Sequence, residues 1–258
     1  MKDGTSALQL IGLRGIPSIA AGDDIARIIV DAAAHNAVPL DDGDVLLVAQ
    51  KIVSRAAGLL VNPADLTPRD EARDLAVKTG KPADVVEAIL QESRGVIAHG
   101  PNVLITEHVS GCVMANAGLD QSNLPGGVRE GAMLALPRDP DGAARDLFVR
   151  LGAITGKKVA VVICDSWGRP FRMGTVGFAL GVAGMPALVD LRGNEDLNGR
   201  PLQASVEALA DGLAAAANLV MGQGAEGVPA VIARGLRFPA GDGAAADLLR
   251  PIGEDLFR

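Results

Sequence analysis

The sequence predicts a mixed α/β fold, and three features of the chain indicate it. Residues 159–164 (VAVVIC) form an uninterrupted apolar run, which is typical of a strand buried on both faces of a sheet. Residues 141–155 before it carry apolar side chains at helical spacing, and Gly156 provides a stop signal. Residues 95–99 and 103–108 flank a Gly-Pro-Asn turn, as paired strands do. We therefore expect helices packed against sheets.

The remaining strands are predicted from short apolar segments that are bounded by turn residues. With the three segments above, the strand candidates are 8–13, 44–49, 95–99, 103–108, 112–114, 159–164, 187–191 and 230–233. The segment 175–184 (TVGFALGVAG) is apolar and spaced by glycine, which suits tight packing, including packing across subunits.

The helices are predicted from start and stop signals together with their apolar stripes. Asp23 or Asp24 can cap the first helix, and Thr67 followed by Pro68 is typical of a helix start. Pro82 opens a further helix. The predicted helices span 23–34, 67–79, 82–90, 141–155 and 203–221.

Composition narrows the class of protein. The 24 Lys and Arg against 31 Asp and Glu give a net charge of -7, which argues against binding to nucleic acid or to an anionic membrane. Cys112 and Cys164 lack a CxxC spacing and are expected to be buried thiols. No signal peptide or apolar run of membrane-spanning length is visible, so we expect a cytoplasmic protein. We interpret residues 1–258 as one domain without a visible internal boundary.

Polar residues follow the buried strand 159–164 directly. Asp165, Ser166, Arg169 and Arg172 place a carboxylate, a hydroxyl and two guanidinium groups in a predicted loop at the strand end, where rigid scaffolds commonly hold catalytic groups. Guanidinium groups match phosphate and carboxylate through two parallel hydrogen bonds, so Arg169 and Arg172 are candidates to bind either group. A structural ion pair is the alternative for an Asp and an Arg this close.

Three other segments carry candidate ligands. In 115–123 (ANAGLDQSN), Asp120 and Asn123 offer the oxygens that Mg²⁺ and Mn²⁺ prefer, although such a loop is also an ordinary turn. Lys51 and Arg55 lie four residues apart and would share one helix face, where they would hold an anion or form a solvated basic turn. The glycine-rich segment 221–228 offers backbone N–H groups to an anion, or is a long helix-end loop.

The motifs NAGLDQSN, CDSWGRPFRMGTVGFALGVAG and NLVMGQGAEGVPAVIARG occur in this order, and GIPSIAAGDDI and GDVLLVAQKIVSRAAG precede them. Together they resemble the coenzyme F420-0:γ-glutamyl ligase family over nearly the whole chain. The resemblance implies an unusual mixed α/β fold, an intertwined homodimer, and GTP-dependent addition of L-glutamate, and then of further γ-linked glutamates, to F420-0. It also implies two Mg²⁺ or Mn²⁺ ions per subunit and a monovalent cation such as K⁺. We expect the reaction to pass through an acyl phosphate.

The resemblance also assigns roles to residues by their position in the motifs. Metal ligands are implied at Asp120, Asp165, Ser166 and Gln223. Contacts to the guanine nucleotide are implied at Ile16, Pro17, Ser18, Ile19, Gln50, Lys51, Arg55, Asn123, Met221, Gly222, Gln223, Gly224, Ala225, Glu226, Gly227 and Val228.

Two of these positions depart from other family members. Arg55 stands where some have Lys, which keeps the charge but changes the donor geometry. Gln223 stands where some have Glu, which removes one negative charge from the implied metal site and is expected to shift its metal preference. Two other functions stay open at the level of sequence: a ligase on this scaffold with a different carboxylate acceptor, and a nucleotide-binding protein without catalysis.

Overall fold

The structure is a computed structural model, and it describes residues 7–124 and 128–256. The first six residues, which belong to the N-terminal segment used above to argue against a signal peptide, lie outside the described residues. The strands are β1 Gln9–Gly12, β2 Val45–Ala49, β3 Leu60–Val61, β4 Ser93–Gly100, β5 Val103–His108, β6 Val113–Ala115, β7 Met133–Leu134, β8 Ala160–Arg169, β9 Arg172–Ala183, β10 Val189–Asp190, β11 Val206–Glu207 and β12 Ala230–Arg234. The α-helices are α1 Ile25–His35, α2 Gln50–Ala56, α3 Asp70–Thr79, α4 Ala83–Gln91, α5 Pro140–Thr155 and α6 Leu209–Met221.

A five-stranded mixed sheet organises the molecule. Its strand order is β1-β12-β2-β8-β9, and β2 and β8 form a parallel pair in which Ala49 lies opposite Cys164. The other neighbouring strands in this sheet are antiparallel. Because β2 and β8 run in the same direction, Gln50, which follows β2, lies beside Asp165 of β8, where the pairing of the two strands ends. The predicted mixed α/β class is confirmed.

Both faces of the central sheet are covered. On one face Val161 and Ile163 pack with side chains of α1 and α5, and on the other face Val162 packs with side chains of α6. These three valine and isoleucine side chains have no exposed surface. The prediction that this apolar run is a strand buried on both faces is therefore confirmed, and its reason is the pair of helical layers.

A smaller layer packs beside the central sheet. Strands β4, β5 and β6 form an antiparallel sheet, and α3 and α4 contribute to a third core cluster with it. The predicted pairing of 95–99 with 103–108 is confirmed.

His108, on β5, is fully buried and its Nδ1 lies 2.8 Å from the Ser110 Oγ. Cys112 and Cys164 are both free thiols, as predicted, but only Cys164 is buried and Cys112 is partly exposed.

Strand β9 contains the glycine-spaced segment, and its tight packing occurs within the chain. A Cβ atom on Gly177 would overlap the backbone carbonyl of Ala214 in α6. The absence of a side chain at this position therefore lets helix α6 lie directly on the strand.

Three element predictions need correction. Residues 165–172 were expected to form a loop, but β8 continues to Arg169 and turns tightly into β9, with Arg169 opposite Arg172. The ring centroids of Trp167 and Phe178 lie 4.5 Å apart in a stack, and such a cross-strand pair stabilises the extension.

The other two corrections concern helix starts. Helix α3 begins at Asp70, because the Arg69 backbone N–H donates to the Glu87 carboxylate at 3.0 Å, and Thr67 does not cap it. Helix α6 begins only at Leu209, because β11 (Val206–Glu207) pairs with β10 instead of continuing the helix. Within the described part of the chain, none of the helices combines the length and apolar character that crossing a bilayer requires.

Candidate active site

The candidate site is a cavity of about 370 Å³ at the sheet edge where β2 and β8 end. This volume is within the range of small-molecule sites, and the carboxyl ends of parallel strands are a common place for them. Its lining includes the loop after β1, the start of α2, the residues of β8 after Cys164, and the glycine-rich loop between α6 and β12, together with Asn123 and residues of β9 and α6.

Most of the predicted ligand-binding residues line this cavity. They are Ile16, Pro17, Ser18, Gln50, Lys51, Arg55, Asn123, Asp165, Ser166, Met221, Gly222, Gln223, Gly224, Ala225, Gly227 and Val228. Five predicted residues are not part of its lining: Ile19, Asp120, Glu226, Arg169 and Arg172. Ile19 is buried in the main core and supports the loop that carries the residues before it.

Asp120 is connected to the cavity through Lys51. The Lys51 Nζ lies 2.6 Å from the Asp120 Oδ2 and donates to the Ser122 Oγ at 2.6 Å. The Ser122 backbone N–H also donates to Asp120, at 2.7 Å. Burial opposes ionisation of Asp120, but the hydrogen bonds from Lys51 and Ser122 outweigh it and hold the pKa of this carboxyl below its usual value.

Asp165 is in a different electrostatic state from Asp120. Burial raises the pKa of Asp165 to about 6, although the Ser166 backbone N–H donates to its carboxylate at 2.8 Å. Lys51 lowers this pKa and Asp120 raises it, so the three charged groups lie close enough to affect one another. The carboxylate is enclosed and makes a backbone hydrogen bond, which leaves it suited to accept a cation.

The glycine-rich loop is held by its own side chains. The Ser166 Oγ donates to the Gln223 Oε1 at 2.8 Å, which joins the loop to the end of β8. The Glu226 carboxylate accepts from the Gly224 backbone N–H at 2.8 Å. Gly222 has a φ of +75°, and a Cβ atom there would overlap the Glu226 carboxylate. Glycine at this position therefore permits the compact loop.

Two donors in the cavity lining have no partner. Gln50 Nε2 and Arg55 Nε are buried and make no hydrogen bond within the described residues. The Ser54 Oγ donates to the Gln50 Oε1 at 2.9 Å, which satisfies the other end of that amide. Burial lowers the pKa of Arg55. Buried donors normally have partners, so this pair favours a ligand that brings acceptor oxygens.

The oxygen ligands fit a hard cation that is shared with a ligand. The described residues contain no cluster of three or more His, Cys, Asp or Glu that would hold a metal alone. They do supply the Asp165 carboxylate, the Ser166 hydroxyl and the Gln223 carbonyl around the cavity, and Asp120 beside Lys51. Mg²⁺ is usually bound through one or two carboxylates together with phosphate oxygens, and this donor set suits such an arrangement.

Arg169 and Arg172 lie at the tip of the β8–β9 hairpin. Because β8 continues past Asp165, the four-residue extension carries Arg169 about 13 Å along the strand from that carboxylate. Arg172 is exposed, and Arg169 is partly buried with an Nε that has no hydrogen-bond partner in the described part of the chain. Within this chain, the structure does not bring them to the cavity.

Sequence reasoning missed two residues of the site. Asn218 lies in the last turn of α6, lines the cavity and accepts a hydrogen bond from Gln223. Ser122 bridges Lys51 and Asp120. The sequence signal that could have identified Asn218 is its position as a polar residue in the final turn of a mostly apolar helix. Ser122 lay inside a motif already noted, but no spacing rule distinguished it from a turn residue.

The fold and the cavity define a class: a mixed α/β protein with a cavity at the carboxyl edge of its parallel strands, lined by acidic, basic and amide side chains. Comparison with known proteins makes this specific. The F420-0:Gamma-glutamyl ligase family matches residues 14–235. The chain belongs to this family, as its motifs predicted.

Three relatives illustrate the extent of the similarity, and each is named Coenzyme F420:L-glutamate ligase. The protein of Methanothermobacter thermautotrophicus is 47% identical over 97% of this chain and 99% of its own length. That of Methanopyrus kandleri is 46% identical over 92% of both chains. That of Archaeoglobus fulgidus is 42% identical over 97% of this chain and 96% of its own length.

Proposed function

We propose that this protein is a GTP- and divalent-metal-dependent ligase that adds L-glutamate to coenzyme F420-0 and then adds further γ-linked glutamates. One observation carries the proposal. In a chain of this family, Asp165, Ser166, Gln223 and Lys51 come from three distant segments and line one cavity.

Electrostatics explains why this site calls for cations. Two unit charges about 4 Å apart interact by roughly 4 kcal/mol at an effective dielectric constant near 20. Asp120 and Asp165 would therefore repel a triphosphate that entered the cavity. Divalent cations held by these side chains would neutralise this repulsion and would supply Lewis-acid stabilisation to phosphoryl transfer.

Different side chains in and beside the cavity would bind the cations and the nucleotide. Asp120, Asp165, Ser166 and Gln223 would hold the cations with their oxygens. Lys51 and Arg55 would bind the phosphates of GTP, and the Gln50 Nε2 would donate to an acceptor on the nucleotide. Phosphoryl transfer depends on positioning and charge neutralisation more than on covalent participation of the protein, and this division supplies both.

The proposed reaction has two steps. A carboxylate oxygen of F420-0 attacks the γ-phosphorus of GTP, the bond to the β–γ bridging oxygen breaks, and GDP leaves with an acyl phosphate formed. The amine nitrogen of glutamate then attacks the acyl carbon, the carbon–oxygen bond to phosphate breaks, and phosphate leaves. The amine loses a proton in this second step, and we assign no side chain as its general base.

Several further parts of the proposal rest on the family resemblance. They are the guanine nucleotide contacts, the choice between Mg²⁺ and Mn²⁺, the monovalent cation, the intertwined homodimer and the cytoplasmic location. The binding of phosphate or of incoming carboxylates by Arg169 and Arg172 also stays a prediction, since their place at the hairpin tip lies away from the cavity of their own chain.

Phosphate release tests the proposal directly. The purified protein is incubated with GTP, Mn²⁺, F420-0 and L-glutamate, and each component is omitted in turn. We expect phosphate to appear only in the complete mixture. Binding of GTP without phosphate release for any acceptor would instead indicate a non-catalytic nucleotide-binding protein. Release with another carboxylate acceptor, but not with F420-0, would indicate a ligase of different specificity.

A further inference from the structure

The side chain of Gln223 poses a problem that a carboxylate would not. A cation binds the carbonyl oxygen of an amide and is repelled by its NH₂ group, so the orientation of the Gln223 amide decides whether this residue can serve as a ligand. The two ends of the amide differ by a rotation about one bond. Some other group must therefore select the orientation.

Asn218 is placed to select it. The Gln223 Nε2 donates to the Asn218 Oδ1, and it also lies 3.3 Å from the Gly222 carbonyl oxygen. The Gly222 oxygen is a backbone acceptor and can only receive a donor, so this contact places the nitrogen on this side, where the Asn218 Oδ1 accepts from it as well. The oxygen at the opposite end of the amide, Oε1, accepts from the Ser166 Oγ at 2.8 Å and therefore lies on the side of the proposed metal ligand Ser166.

The backbone and Cβ of Asn218 are held in place by the helix and by β9. The residue lies in the last turn of α6, and its backbone carbonyl accepts from the Gly222 N–H at 3.0 Å. The Asn218 Cβ packs against Gly177 of β9. A Cβ atom added to Gly177 would lie 3.0 Å from the Asn218 Cβ. Residues that hydrogen-bond to a metal ligand, without contacting the metal themselves, commonly control metal affinity by fixing the orientation of that ligand.

We propose that Asn218 is a positioning residue that fixes the Gln223 amide so that its carbonyl oxygen, together with Ser166, is presented to a divalent cation. This inference rests on the proposed metal-dependent function and extends it to a residue that makes no metal contact itself. It has a specific consequence. Asn218 matters as long as residue 223 is an amide, and it loses most of its importance when residue 223 offers oxygen at both ends.

The test is a double-mutant cycle read by Mn²⁺ binding instead of activity. Mn²⁺ affinity is measured by electron paramagnetic resonance, with a non-hydrolysable GTP analogue present, for the unaltered chain, Asn218→Leu, Gln223→Glu and the double variant. We expect Asn218→Leu to weaken Mn²⁺ binding about tenfold when Gln223 is unaltered. We expect a change of less than about threefold when Asn218→Leu is added to Gln223→Glu. Asn218→Asp keeps an acceptor for Nε2 and should bind Mn²⁺ at least as tightly as the unaltered chain.

Three results would overturn the inference. Equal losses with and without Gln223→Glu would mean that Asn218 acts through the general structure of the loop, and no loss in either case would mean that it does not orient Gln223. If the unaltered chain binds no Mn²⁺ with the analogue, both the proposed function and this inference are wrong. If the unaltered chain binds Mn²⁺ but either of the first two results is found, only this inference is wrong. Thermal melts establish that each variant is folded, and Asn218→Ala replaces the Leu variant if leucine disturbs packing on Gly177.

Discussion

The two edges of the parallel pair β2–β8 differ in how fully their charged and polar side chains are paired within the chain. At the edge where these strands begin, Asp44 is 2% exposed and its carboxylate accepts from the Arg234 Nη2 at 2.6 Å and Nε at 2.8 Å. The Asp41 backbone N–H also donates to it, at 2.8 Å. At the edge where the strands end, Asp165 has a pKa raised to about 6, and Gln50 Nε2 and Arg55 Nε lack partners among the described residues.

This difference separates structural polar groups from functional ones. The first edge satisfies its buried carboxylate entirely within the chain, as a stable fold requires. The second edge keeps a carboxylate whose pKa is raised and two buried donors without partners among the described residues, which costs stability and is expected where a ligand completes the hydrogen bonds. Substitutions at the two edges, and at the hairpin tip beyond the second, test this contrast.

Loss of the Asp165 charge should have the largest effect. We expect Asp165→Asn to lower kcat/KM for GTP-dependent ligation by at least about 100-fold, because a neutral amide does not provide the negative charge that holds a divalent cation beside a triphosphate. Phosphate release measured under saturating F420-0 and glutamate checks this. Asp146→Asn, on the exposed surface of α5, is the matched control and should leave kcat/KM unchanged. Near-normal turnover of the Asp165 variant would exclude its role as a metal ligand.

Asp165→Asn should also stabilise the protein in the absence of metal. The folded pKa of Asp165, about 6, is raised above its unfolded value near 3.8, so the stability contributed by its neutral form is lost as pH rises through 6. The asparagine does not titrate. We expect the variant to gain up to about 3 kcal/mol relative to the unaltered chain above pH 7, and the gain to vanish below pH 4. Thermal melts in chelator across this range measure it, and a pH-independent difference would disprove the explanation.

Breaking the pair at the other edge should affect stability and not catalysis. Arg234→Met leaves the buried Asp44 carboxylate without its cation, and we expect the free energy of unfolding to fall by about 2 kcal/mol. This is less than for a fully buried pair, because Arg234 is about one-third exposed. Denaturant unfolding measures the loss. Lys157→Met removes an exposed partner of Asp41 and should change stability far less. A large fall in kcat/KM of folded Arg234→Met would contradict the contrast.

The hairpin tip should give the smallest effect. If Arg172 binds phosphate or an incoming carboxylate, Arg172→Ala should raise the Michaelis constant for GTP or for glutamate. Because this guanidinium is exposed, we expect a rise of at most about fivefold, which corresponds to roughly 1 kcal/mol. Initial rates at varied GTP and varied glutamate distinguish the two ligands. If both constants stay unchanged, the role predicted for Arg172 is wrong.

Local patterns predicted the secondary structure well where local physics decides it. The buried strand around Val162 follows from its apolar run, and the helix ending at Gly156 follows from periodicity and a stop residue. Helix α2 supplies the helical turn on which Lys51 and Arg55 were considered as a pair. The failures arose where distant segments compete. Pairing with β9 extended β8 to Arg169, and pairing with β10 removed residues 206–207 from the predicted helix.

The site was predictable in its ligands but not in its supporting contacts. Asp165 and Gln223 lie in recognisable motifs, and the chain folds so that both line one cavity. The Lys51–Asp120 pair and the contact of Asn218 with Gln223 depend on side-chain positions in three dimensions, and no sequence spacing encodes them. The opposite pKa shifts of Asp120 and Asp165 have the same origin, since they follow from burial and from which carboxylate lies next to Lys51.

Mass spectrometry of the reaction product tests the central claim most directly. F420-0 is incubated with L-glutamate, GTP and Mn²⁺ and with either the unaltered chain or Asp165→Asn, and the product is analysed for added glutamates. The account predicts at least one glutamate added by the unaltered chain and none above background by the variant. Equal addition by both proteins, or none by the unaltered chain, would contradict it.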